Sequence, residues 1–237
     1  MPNEHTEEVQ DQPADNVVEA GIADLNTIYR CGSLTFPISL MVTVPTKKRG
    51  VHMSRLVGAV LKNSEGKNIE DALRAVCRDV DATQDGCRVR CEFQYPVGDQ
   101  FMGISVEVKR TGTLKYSFKK YGITACPCSK GMCGIGHMQR SSLLVEIQSD
   151  SVIDFIGVAA KLDSCFSATL SEQLKRNEEV SKIICAQEKP RFVEDLVRAC
   201  LILFPSADFI EARSQESIHA HDAVAFWGHS LVHEAMK

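Results

Sequence analysis

Two thiols separated by one proline, Cys126-Pro127-Cys128, run on into Ser129 and Lys130, and His137 follows eleven residues past the first thiol. A thiolate and an imidazole suit a borderline-soft divalent ion such as zinc; they equally suit a thiolate nucleophile with a histidine base. The pair leaves both open. A disulfide between Cys126 and Cys128 is disfavoured, because closing a ring across one residue is strained. The stretch is rich in Gly and Pro, which reads as loop rather than helix or strand interior. A second donor group stands near the C-terminus, in Glu216-Ser217-Ile218-His219-Ala220-His221. His219 and His221 share a face on a strand, whereas Glu216 and His219 meet only on a helical turn. His229 and His233, four apart, imitate a metal pair but bring no third ligand, so they read as surface or packing residues.

The chain that must position these groups has 237 residues, 44% hydrophobic and 24% charged, with a net charge of −4. That is enough to bury one large core or two modest ones. The acidic balance offers no general field for nucleic acid, and no apolar run approaches the ~20 residues of a membrane helix. Residues 1–16 read as an acidic, disordered tail, the reverse of a signal or transit peptide. A cytoplasmic protein is expected. Most of the ten cysteines lie singly among apolar residues, and Cys77, Cys165, Cys185 and Cys200 read as small buried hydrophobes.

Alternation of Phe36, Ile38, Leu40, Val42 and Val44 predicts a strand over 34–44, with Pro37 pointing to an edge or a late start. Helices are predicted over 53–62 and 68–80, the second capped by Asn68. Three alternating runs, 89–95, 104–108 and 114–118, form a meander through hairpin-like joints. Strand and helix then recur at 143–147 and 152–162, with an irregular, helical stretch over 170–186. A strong amphipathic helix over 192–204 and a strand over 209–212 follow, and residues 221–236 are expected to close the chain as a helix. The repetition suggests a duplicated module: 17–124, then 125–237 carrying most of the metal site, in one compact bimodular unit.

Five segments together resemble the type IB GTP cyclohydrolases of the tunnelling-fold (T-fold) superfamily. They are Gly50-Val51-His52-Met53-Ser54-Arg55; Cys126 to Lys130 with His137-Met138-Gln139-Arg140-Ser141; Lys175-Arg176-Asn177-Glu178-Glu179; Phe192-Val193-Glu194-Asp195; and Glu216 to His221. They cover most of residues 34 to 225, in the family's order. The resemblance implies an α+β fold of tandem T-fold modules, antiparallel sheets with helices packed on one face. It implies a homo-oligomer, a tetramer with active sites at subunit interfaces. The implied reaction is GTP plus water giving formate and 7,8-dihydroneopterin triphosphate, the first step of pterin, folate or deazapurine synthesis. A divalent ion, Zn, Mn or Fe(II), would lower the pKa of the attacking water.

Carried over by position, the metal ligands are Cys126, His137, Glu179, Glu216 and His219. Cys128 and His221 join Cys126, His137 and His219 in the catalytic set, as supporting or proton-transfer groups. Glu194 would accept the guanine N1–H and 2-amino group in a bidentate fit. Lys47, Lys48, His52, Ser54, Arg55, Lys130 and Arg140 are candidates for the triphosphate. The loop 131–136 is one residue shorter than the family's.

From pattern alone, Glu194 reads as a first-turn carboxylate complementing a helix dipole, Glu178 and Glu179 as solvated charges, and Lys47-Lys48-Arg49 as a soluble turn. Other functions stay open. A relative could make a cyclic phosphate or act on another purine nucleotide. A T-fold enzyme of the nitrile-reductase kind would use Cys126 or Cys128 covalently. A closed four-ligand site would mark a zinc-stabilised structural or regulatory protein.

Overall fold

A computed structural model of the chain describes residues 8–84, 86–108 and 111–229. The chain divides into two compact units, Met1–Phe93 with Ser105–Lys115, and Gln94–Ile104 with Tyr116–Lys237. The division is not the single cut at 124/125 expected from the sequence. Its boundaries fall within three strands, β4 (Arg88–Val97), β5 (Gln100–Val108) and the start of β6 (Leu114–Ala125).

The first unit is built on β1 (Pro13–Cys31) and β2 (Leu34–Lys48), a long antiparallel hairpin, with β4 on the far side of β2. Phe36, Ile38, Leu40, Val42 and Val44 are all buried, as period-two alternation requires. Pro37 lies one residue before the register with β4 begins at Ile38–Phe93, where its missing N–H breaks no recorded pair with that strand. The helices α1 (Met53–Lys62) and α2 (Ile69–Asp81) pack on each other and bury Leu56, Val60, Leu73, Val76 and Val80. Asn68 caps α2 by accepting from the Asp71 N–H at 2.7 Å. The two-residue β3 (Glu65–Gly66) pairs with the end of β1.

The expected tail is overturned from Val9 onward. Val9–Asp11 form a 3-10 turn and β1 begins at Pro13. The cause is local. Arg49 and Gly50 donate main-chain N–H groups to the carbonyls of Gln12 (2.7 Å) and Gln10 (3.1 Å). Asp11 pairs with Lys48 at 2.7 Å, while Glu8 and Asp11 approach the two ring nitrogens of His52 at 3.3 and 3.4 Å. The acidic composition that suggested disorder is matched to a basic loop. Residues 1–7 lie outside the described residues.

In the second unit the strand order is β10 (Ala223–Gly228), β9 (Ala207–Gln215), β7 (Met138–Ser149), β6 (Leu114–Ala125), with β8 (Ala168–Thr169) also on β6. Its helices are α3 (Pro127–Cys133), α4 (Phe155–Cys165), α5 (Arg176–Glu188) and α6 (Val193–Leu203). Helix α6 packs on α4, β9 and β10. The closing helix expected over 221–236 is instead β10, antiparallel to β9 from Ala223–Ser214 to Gly228–Phe209; residues 230–237 lie outside the described residues. No described helix is long and apolar enough to cross a membrane.

Candidate active site

Ala125 ends β6, and Cys126 is the N-cap of α3, a helix where the sequence suggested loop. Pro127 fills the first helical position, where a missing N–H breaks no bond, and Gly134 ends the helix at φ +80° with its N–H on the Lys130 carbonyl. These two residue types punctuate the helix and do not prevent it. The first three residues of the loop 131–136 are therefore the end of α3.

Helix α3 folds the chain back so that His137 returns beside Cys126. The Cys126 N–H donates to the His137 carbonyl at 2.9 Å, and the His137 N–H donates to the Ser129 hydroxyl at 3.1 Å. Gly136 is needed here because a Cβ would lie 2.6 Å from the Cys126 carbonyl oxygen. Gln187 on α5 holds Gly136 on both sides, accepting its N–H at 2.9 Å and donating to its carbonyl at 2.8 Å. The Lys130 ammonium donates to the Gln187 carbonyl, which ties this triphosphate candidate to the scaffold.

The second donor group arrives along β9. Its register with β7 pairs Ser141 with Ser214 and Arg140 with Gln215, and Glu216 follows directly where that register ends. His137 Nδ1 then faces three oxygens, Gln139 Oε1 at 2.9 Å, Ser217 Oγ at 3.4 Å and Glu216 Oε2 at 3.8 Å. The rings of His137 and His219 have centroids 6.4 Å apart, and His219 stacks on His221 at 5.3 Å. Beneath them Thr124, Ser141 and Ser214, all buried, join hydroxyls at 2.7, 3.1 and 3.5 Å.

These groups line a cavity of about 390 Å³, within the usual range for a small-molecule site. Of the expected site residues it gathers Cys126, His137, Glu194, Glu216, His219 and His221. Glu194 sits exposed in the first turn of α6, on the cavity lining. Cys128, on α3, and Glu179, in the first turn of α5, are exposed and outside the lining, as is Arg140 on β7. Lys47, Lys48, His52 and Arg55 line a separate hollow of about 290 Å³ in the first unit, with Ser54 exposed on α1.

Zinc, manganese or iron(II) would be held by donors of the right chemistry. The cavity presents one thiol, three imidazoles and two carboxylates, the mixed set that borderline divalent ions take. The donors stand more loosely than one ion's shell. Among the described residues, the trio whose ligand atoms all lie within 4.8 Å of one another is Glu8, Asp11 and His52, and there Lys48 already supplies the compensating charge.

Sequence reasoning missed Thr124, Gln139, Arg191, Phe192, Ser214 and Ser217. Arg191 lines the cavity and is anchored by its N–H on the Ala125 carbonyl at 3.0 Å. Next to it, Lys189 is held below the usual lysine range by burial and then by the Arg191 guanidinium. Gln139 lies within a segment that carries the family resemblance, but its residue type names no chemistry.

The type I GTP cyclohydrolase FolE2 family model matches residues 27–225. Among curated relatives, GTP cyclohydrolase FolE2 of Burkholderia thailandensis is 34% identical over 211 residues, covering 79% of this chain and 77% of the relative. GTP cyclohydrolase FolE2 of Akkermansia muciniphila is 30% identical over 226 residues, covering 84% of each. Among solved structures, uricase from Arthrobacter globiformis aligns with a TM-score of 0.55 over 92% of this chain and 96% of that one, at 9% identity. That likeness shows the fold alone, an α+β tunnelling fold.

Proposed function

Because the chain belongs to the type I GTP cyclohydrolase FolE2 family, we propose that the cavity of its second unit is where GTP is opened to formate and 7,8-dihydroneopterin triphosphate. The observation that carries this reading is the gathering of Cys126, His137, Glu194, Glu216 and His219 on one cavity from three separate stretches of sequence.

Purine C8 leaves as formate, so its bonds to N7 and N9 break and each nitrogen takes up a proton. Histidine is the side chain that gives and takes protons near neutral pH, and three histidines line the cavity. His219 and His221 stand close enough to serve neighbouring atoms of one ring. Glu194 would orient the base through the guanine N1–H and 2-amino group; a charged acceptor makes such bonds roughly twice as strong as neutral ones. Arg191, beside it, is the one permanently charged cation of the lining and suits a phosphate. Cys126, His137, Glu216 and His219 are the residues that would hold a divalent ion, Zn, Mn or Fe(II). When bound, such an ion supplies Lewis acidity that brings the pKa of water toward neutrality.

A type IB enzyme working as a homotetramer is part of this reading. Its support is that a triphosphate needs more cations than Arg191, and a second copy could supply them. All ten cysteines are free thiols, which supports a reducing, cytoplasmic setting.

The test is incubation of the protein with GTP and Zn²⁺, Mn²⁺ or Fe²⁺ in turn, following formate release and pterin fluorescence after oxidation. Cys126→Ala and His137→Ala should each abolish formate release while the fold is kept. Full turnover in either variant removes the cavity from the chemistry. Slow turnover of GTP with a covalent adduct on Cys126 would favour the cysteine-nucleophile reading.

A further inference from the structure

Gln139 carries no chemistry of its own, yet it makes the shortest contact to the imidazole of His137. Its Oε1 lies 2.9 Å from His137 Nδ1, against 3.4 Å for Ser217 Oγ and 3.8 Å for Glu216 Oε2. A side-chain amide oxygen can only accept, so the ring nitrogen facing it must donate. The other two neighbours at that nitrogen are also oxygens, and both can accept from the same N–H. Neutral imidazole has one N–H. Placing it on Nδ1 leaves the lone pair on Nε2.

The backbone makes this arrangement stiff. His137 is pinned by its carbonyl on the Cys126 N–H and by its N–H on Ser129. Gln139 is the second residue of β7, two on from His137, which immediately precedes the strand, and the two side chains meet. Its half-buried amide spans the gap to a ring whose side chain is 16% exposed. We infer that Gln139 is the positioning residue for His137: it selects the tautomer with a proton on Nδ1 and turns Nε2 toward whatever the histidine serves. Glu216, nearly an ångström farther off, stays available to the cavity.

The consequence for metal rests on the reading above that His137 is a ligand. A ligand histidine whose other nitrogen loses its acceptor typically loses metal affinity 10- to 100-fold. Two measurements separate the claims. In the metal-free protein, ¹⁵N NMR of the histidine rings should show His137 protonated on Nδ1, and Gln139→Leu should give a mixture of tautomers or the opposite one. An unchanged tautomer in Gln139→Leu overturns the positioning role, whatever the protein does with metal. With Co²⁺ as the probe, followed by its visible absorption, Gln139→Leu should bind about 10- to 100-fold more weakly than the parent. Gln139→Glu, which keeps an acceptor, should stay within a few-fold. Equal weakening in the two variants means that the amide's shape matters and not its oxygen, and overturns the inference. A parent that takes up no Co²⁺ sinks the metal reading, while the NMR result still decides the role of Gln139.

Discussion

Cys126 and His137 are joined through their main chains, the N–H of one on the carbonyl of the other at 2.9 Å. Gly136 lies against this bond. The methyl group of Gly136→Ala would start 2.6 Å from the Cys126 carbonyl, which is backbone and cannot swing aside. The variant should fold, with a circular dichroism spectrum like the parent's, but release formate at a rate lower by about 10- to 100-fold, the scale on which small misplacements of reacting groups act. A rate equal to the parent's would show that the Cys126–His137 spacing does not matter to turnover.

Glu194 is predicted to decide which base is taken. Glu194→Ala removes an acceptor for two hydrogen bonds, each worth about 1.5–3 kcal/mol when one partner is charged. Much of that is returned by water at an exposed site, so kcat/KM for GTP should fall by about 100-fold. Discrimination against ATP should narrow with it. Steady-state assays on the two nucleotides decide the matter; a parent protein that turns over ATP as well as GTP removes this role.

Lys120 is buried, with its ammonium 3.0 Å from the Asp163 carboxylate. Removing the carboxylate strands a charge away from water, whereas replacing the lysine with an apolar chain does not. Asp163→Ala should lower unfolding free energy by about 2–3 kcal/mol, below the full penalty for a sealed pair because Asp163 is partly exposed. Lys120→Met should cost less than about 1 kcal/mol. Urea denaturation of the three proteins tests the order, and the reverse order would deny that the lysine is charged.

Asp79 links the two helices of the first unit, holding Lys62 at 2.9 Å and Asn63 at 2.9 Å. Those hydrogen bonds keep its carboxyl below the usual carboxylate range. A depressed folded-state pKa adds stability above the unfolded value, near 4, and loses it as pH falls through the folded one. The melting temperatures of the parent and Asp79→Asn should therefore differ at neutral pH and converge as the pH drops well below about 4. A gap that stays constant down to strong acid would exclude the ionised carboxylate as its source.

Much of the scaffold was legible in the sequence because one buried face stamps a period on it. β2, α2, β4, β5, β6 and α6 all show this. The strand β1 is exposed along most of its first half, so no apolar rhythm marks it, and β10 leaves Val224, Phe226 and Trp227 largely open. Helix α3 was hidden by its own ends, since Pro127 and Gly134 read as breakers until their cap geometry is known. At the site, sulfur, imidazole and carboxylate announce themselves by type, and family likeness supplied Glu194. The likeness also nominated Glu179 and Cys128, which lie outside the cavity lining. Gln139, Thr124 and Ser214 act through position, which residue type does not encode.

The clasp between residues 8–12 and the basic loop has a practical corollary. Asp11 and Glu8 are the counter-ions of Lys48 and His52. A chain shortened to begin at Pro13 would bare Lys48 together with Arg49 and leave the His52 ring without its carboxylates, and the exposed hollow would collect polyanions. Such a truncated preparation, run on heparin, could pass for a nucleic-acid binder, which the intact protein's net charge of −4 argues against.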